Sequence, residues 1–204
     1  MTEFAAAAPA HAPVVEETST GLNTRKVLMW TFLGSECMFF GSLIGTYLVY
    51  RGRYLPGQLI PKDVFEIPYT SVSAFALLMS SLAMVLALAA IQRGDIKRLK
   101  IWLLVTAALG LIFLGGQVYE FTSFGAQGLN PNVSTFGTSF FVLTGFHGAH
   151  VSMGVIWLLS LFMLAARGQL NQARSLDVEI AGLYWHFVDI VWIIIFTVVY
   201  LIPV

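Results

Sequence analysis

Charge is what this sequence has least of. Only 11% of its 204 residues are Asp, Glu, Lys or Arg, against 57% apolar, and the mean hydropathy is +0.79. So few charges cannot clothe a water-soluble globule of this size, and an integral membrane protein follows. Acidic and basic residues balance at 11 each, which leaves no basic face for a nucleic-acid partner. Cysteine occurs once, at Cys37, which excludes a disulfide within the chain and a thiolate metal clip. There is no glycine-rich phosphate loop, no Ser/His/Asp nucleophile set, no complete haem-ligation pattern and no fixed-period repeat. The first 24 residues hold no apolar stretch long enough for a signal-peptide core; small, polar and Pro-containing, they are expected to form a flexible tail.

What the chain does have is long apolar runs. A helix needs about 20 apolar residues to cross ~30 Å of hydrocarbon, and five such segments occur at roughly 27–50, 70–91, 100–121, 138–166 and 178–203. The expected fold is therefore an all-α bundle of five transmembrane helices over residues 25–204, preceded by the tail at 1–24. Turn residues separate the segments: Pro56-Gly57, Pro61 and Pro68; Arg93-Gly94-Asp95; Gly125, Gly128 and Asn130-Pro131; Gly168 and Asn171. Eight of the eleven Lys and Arg residues fall in the tail, the second connection and the fourth, leaving Arg51, Arg53 and Lys62 on the other side. The positive-inside rule then puts the N-terminus in the cytoplasm and the C-terminus outside.

Ionisable residues inside such segments are costly, at roughly 2.5–3.5 kcal/mol each on insertion scales, and they mark bundle interiors or function. Five of them, Glu36, His147, His150, His186 and Asp189, come at similar depth on the first, fourth and fifth segments. At 100° per residue, Glu36 lies on the side of Met29, Phe32, Phe40 and Tyr47, opposite Gly34, Gly41 and Gly45. The Gly41-xxx-Gly45 spacing admits close backbone approach, so the first helix is expected to pack on both faces. A midplane cluster of Glu36, His147 and His186 is expected from depth and phase. Gln117 and Glu120 share a face of the third helix, with Glu120 near the outer end. Buried histidines of this kind ordinarily bond to a neighbouring helix. Metal ligation by His147, His150, His186 and Asp189 is the sharper alternative, but no helix carries the Glu-x-x-His pair of a carboxylate-bridged di-iron bundle, and no metal ligand is assigned. Glu36 is either a structural hydrogen-bond partner or a titratable group on a proton or gas route.

Four blocks carry a family resemblance: Ser35-Glu36-Cys37-Met38-Phe39-Phe40, Gln117-Val118-Tyr119-Glu120, Thr144-Gly145-Phe146-His147-Gly148-Ala149-His150-Val151, and Tyr184-Trp185-His186-Phe187-Val188-Asp189-Ile190-Val191-Trp192. In this order they resemble subunit III of the haem–copper oxidases, chiefly cytochrome c oxidase, in its shorter five-helix bacterial form. The resemblance implies a non-catalytic subunit in the bacterial inner (plasma) membrane, part of an oxidase that reduces oxygen to water and pumps protons in aerobic respiration. It implies docking on subunit I, with subunit II, further small subunits and a respiratory supercomplex as wider company. Haem and copper then belong to the partner subunits and none to this chain, whose own company is phospholipid. Support of proton uptake and an oxygen route is implied too, with Glu36 at the place of the family's membrane glutamate. Seven-helix members hold lipid in a cleft between their first two helices and the other five, and this chain lacks the first two. A quinol oxidase or nitric oxide reductase partner would use the same fold; a stand-alone proton-coupled transporter is the alternative of another class, but the broken helices or inverted repeat it should carry are not evident.

Overall fold

The computed structural model describes residue 21 and residues 23–52, 67–127 and 135–202. Most of the expected tail, and the turns at Pro56-Gly57, Pro61, Gly128 and Asn130-Pro131, lie outside the described residues. Five helices are long and apolar enough to cross a membrane: α1 (Thr24–Tyr50), α2 (Ile67–Gln92), α3 (Ile96–Ala126), α4 (Thr135–Ala166) and α5 (Ser175–Phe196). A short 3-10 turn, Gln172–Arg174, leads into α5, and a π-helical turn, Thr197–Leu201, extends it. Among the described residues all the regular elements are helical.

Local chemistry sets the helix ends. Asn23 caps α1, its side chain accepting from the Arg25 N–H at 3.0 Å, and Asp95 caps α3 by accepting from the Arg98 N–H at 3.0 Å. Gly94, at φ +74°, and Gly168, at φ +71°, take the left-handed conformation that stops α2 and α4. The N–H groups that follow fold back, Asp95 onto the Ala90 carbonyl and Gln169 onto the Leu164 carbonyl. The third helix outruns its expected end near residue 121, because Phe124 is buried against the ring of Phe140, 5.7 Å away, and holds the last turn in place.

Helices α2, α3, α4 and α5 close into a four-helix ring, α2 packing on α3, α3 on α4, α4 on α5 and α5 back on α2. α1 lies outside that ring, against α4 and α5. Its fully buried residues are Leu33, Phe40 and Tyr47, seven apart, so a single stripe carries its packing. The ring closes around Trp185, 1% exposed. A Cβ on Gly110 of α3 or on Gly154 of α4 would stand 2.7 Å from the indole, so both positions must lack a side chain for the ring to fit. The segments around Arg25, Gly94 and Arg174 meet at one end of the bundle: Arg25 pairs with Asp177, and the Gln172 amide donates to the Gln92 carbonyl at 2.6 Å. At the opposite end the Arg51 guanidinium reaches the Val198 carbonyl at 3.4 Å, holding α1 to the π-helical turn.

Candidate functional site: the polar groups inside the bundle

The ionisable residues do not meet in one cluster. They separate into three sets at mid-bundle, each held by different helices.

The first set joins α1 to α4. His150 Nε2 stands 3.2 Å from Glu36 Oε2, with both side chains about one-sixth exposed. Oε2 has no aligned donor, so this is a close approach of charge rather than a well-formed hydrogen bond. His150 Nδ1 reaches the Phe146 carbonyl at 2.7 Å, which requires the proton on Nδ1. Phe40 meets the imidazole edge-on at 4.9 Å, and the Tyr184 hydroxyl donates to the His150 carbonyl at 2.9 Å.

The second set is the ring interior. His147 is wholly buried, its Nε2 3.3 Å from the Val188 carbonyl and its ring 5.0 Å from Trp192 and 5.6 Å from Phe113. The expected meeting of Glu36, His147 and His186 is thus not made, for a geometric reason. Residues 147 and 150 point about 60° apart on a helix; one direction enters the ring and the other faces α1. From outside the ring, Glu36 meets only His150.

The third set joins α2 to α5. Ser81 Oγ lies 2.5 Å from His186 Nδ1, and Trp185 Nε1 donates to Ser80 Oγ at 2.8 Å. Ser81 also lies beside Asp189, which is buried with neither carboxyl oxygen in aligned hydrogen-bond geometry. Sequence reasoning missed Ser80 and Ser81. The available signal was two adjacent hydroxyls in the middle of an otherwise apolar segment.

Toward the end where Arg51 lies, Glu120 accepts from the Thr70 hydroxyl and, at 3.4 Å, from Tyr200. Gln117 Nε2 donates to the Thr144 carbonyl at 2.6 Å. The Gln117 amide fits because Gly148 opposite it has no Cβ; one there would stand 2.5 Å from Oε1. Gln117 and Glu120 therefore share a helix face but not a partner. At the other end Asp177 holds both Arg25, at 2.6 Å, and Arg174, at 2.9 Å, while Lys26 pairs with Glu179.

One further expectation needs correction. No Cβ added at Gly34, Gly41 or Gly45 would meet anything within 4 Å; α1 packs on its Glu36 side, and within this chain the glycine face is open because α1 stands outside the ring. Among the described residues no three of His, Cys, Asp or Glu are grouped to hold a metal ion. What the arrangement does chemically is tie helices together, through Glu36–His150, His147–Val188 and Ser81–His186.

Comparison with known proteins adds a family. Residues 9–203 match the family model described as cytochrome c oxidase subunit III. A protein of Staphylococcus saprophyticus described as "Probable quinol oxidase subunit 3" is 37% identical over 192 residues, 94% of this chain and 95% of that one. Proteins of the same description from Staphylococcus epidermidis, 37% identical over 177 residues, and Staphylococcus aureus, 36% identical over 178, each match 87% of this chain and 88% of their own length.

Proposed function

Since the chain belongs to the cytochrome c oxidase subunit III family, we propose that this accessory subunit of a haem–copper oxidase docks on the catalytic subunit I, carries no haem or copper itself, and serves an oxidase fed by quinol. It is a multi-pass protein of the bacterial plasma membrane, with five spanning helices. The observation that carries the proposal is the extent of the match, which runs from residue 9 to residue 203 and so takes in every helix. The placement of the polar groups supports a bracing part: Glu36–His150, His147–Val188 and Ser81–His186 each join two helices.

Quinol is favoured over cytochrome c as the donor by the descriptions of the relatives, which match nearly end to end; the cytochrome c reading rests on the family's general description. The donor is read by other subunits, so the test is on the whole enzyme. Membranes from cells with and without the gene are assayed for oxygen uptake with reduced quinol and with reduced cytochrome c. Loss or early decay of the quinol-driven rate alone is expected; loss confined to the cytochrome c rate would reverse the donor assignment. The N-terminus is assigned to the cytoplasm, because the end where α1 begins also carries Arg93, Lys97, Arg98 and Arg167. An open recess of about 310 Å³ beside Phe141, Gly145, Phe146 and Ala149 is apolar and suits contact with part of a phospholipid acyl chain.

A further inference from the structure

His186 differs from the other two histidines of the bundle. His150 uses both ring nitrogens, on Phe146 and Glu36, and His147 is sealed inside the ring. His186 is half-buried. Its Nδ1 is taken by Ser81, while Nε2 makes no hydrogen bond among the described residues, on a side chain that retains part of its exposure. His186 stands about midway along α5 and its extension, and Ser81 about midway along α2. An imidazole nitrogen is therefore presented sideways at the centre of the membrane, where lipid tails offer nothing to bond with.

The surface around it is apolar and continuous. On α2, Leu78 and Val85 lie one turn to either side of Ser81, with Leu82 beside it; on α5, Ile190 and Ile193 follow His186 by one and two turns. All five are at least 42% exposed. The outward hydroxyls of α1 differ from His186 Nε2 in having partners. Along α1, Thr31, Ser35, Ser42 and Thr46 all bond to carbonyls of their own helix. The α2–α5 groove thus combines a broad apolar contact with one precisely placed hydrogen-bonding demand.

We propose that the α2–α5 groove seats a transmembrane helix of a neighbouring oxidase subunit, and that this helix carries a carboxyl, hydroxyl or amide side chain that bonds to His186 Nε2. The assignment rests on the oxidase reading above. Hydrogen-bond complementarity selects the occupant: hydrocarbon leaves Nε2 unanswered, and a purely apolar helix does no better. Ser81 orients the ring from behind by holding Nδ1.

The test uses the assembled complex in mild detergent, with a photo-crosslinking amino acid in place of Leu82 or Ile190, and at Met153 and Ile156 of α4 as comparison sites. From the groove positions, a crosslink to a transmembrane segment of a haem-bearing or copper-bearing subunit with a polar residue at mid-depth is expected. His186→Leu and Ser81→Ala should lower several-fold the detergent concentration at which those subunits separate, and His186→Gln, which keeps a bonding group, should recover most of the loss. Crosslinks from the groove to phospholipid alone, or to a second copy of this chain, would overturn the assignment while haem still co-purifies and the oxidase reading stands. If the unsubstituted chain retained no haem-bearing subunit, both would fall. Should His186→Leu fail to accumulate, the crosslinks, made with His186 in place, still decide.

Discussion

Gly154→Ala is the substitution whose cost follows most directly from the structure. The added Cβ would stand 2.7 and 2.8 Å from two carbons of the Trp185 indole and 3.2 Å from Tyr184. Carbon atoms rest at about 3.5–4.0 Å, so the indole must retreat by about 1 Å. Behind it is Gly110, already without a side chain, and the Trp185 N–H is fixed to Ser80 Oγ at 2.8 Å. A shift of ~1 Å takes that bond beyond the usual limit of about 3.2 Å. Overpacking a filled core costs about 1–3 kcal/mol, and a buried donor left without its acceptor costs ~1–3 kcal/mol. Relaxation shares some of each, and about 3 kcal/mol is expected, roughly a hundredfold in the folded-to-unfolded ratio. Purified complex titrated with SDS in mixed micelles measures it. Gly145→Ala is the matched control, since a Cβ there meets nothing within 4 Å. Trp185→Phe placed on Gly154→Ala should restore part of the loss by removing the ring that clashes. Equal stability of the two glycine variants, or no recovery in the double variant, would refute the packing argument.

Other substitutions separate the braces from one another. Glu36→Gln keeps a polar group 3.2 Å from His150 and should leave assembly near normal, while Glu36→Leu should free the α1 side, read as faster proteolysis or cysteine labelling at exposed Cys37; equal behaviour would remove the pair as the holding contact. Gln117→Leu deletes the bond to the Thr144 carbonyl and should cost about 1–2 kcal/mol in the same SDS titration; no measurable change would mean that the carbonyl is satisfied elsewhere. Asp177→Asn weakens two exposed arginine pairs together, yet surface pairs contribute only ~0–1 kcal/mol each and are screened by salt. A small loss that vanishes in high salt is expected, and a loss indifferent to salt would count against an ionic cause.

The five spans were legible because the bilayer demands length and apolarity, and the chain supplies little else between Thr24 and Leu201. Helix ends were legible where a turn needs a particular backbone: Gly94 and Gly168, marked as turn residues, take the positive φ that stops α2 and α4. Neighbours were not legible. Phase says which way Glu36 points along α1, but His147 and His150 differ by only ~60°, and choosing between them needs α1 outside the ring. The openness of Gly41 and Gly45 has the same cause, since a GxxxG spacing shows that a helix can approach closely but not which helix does. Ser80 and Ser81 were passed over because a hydroxyl costs little to bury and so leaves a weak mark on hydropathy, although they hold Trp185 and His186. The charged residues before each span read as topology signals, and their pairing, Arg25 with Asp177 and Lys26 with Glu179, depends on α1 and α5 starting at one end of the bundle.

Co-purification tests the central claim most directly. The chain, tagged and extracted from its native membranes in mild detergent, is assayed for haem and copper per polypeptide before and after the larger subunits are stripped away. The account predicts haem and copper in fixed ratio to the intact complex, an oxidase absorption spectrum, and neither metal left on the separated chain. A chain recovered alone and free of haem from active membranes would contradict it, and copper or haem retained by the stripped chain would contradict its accessory part.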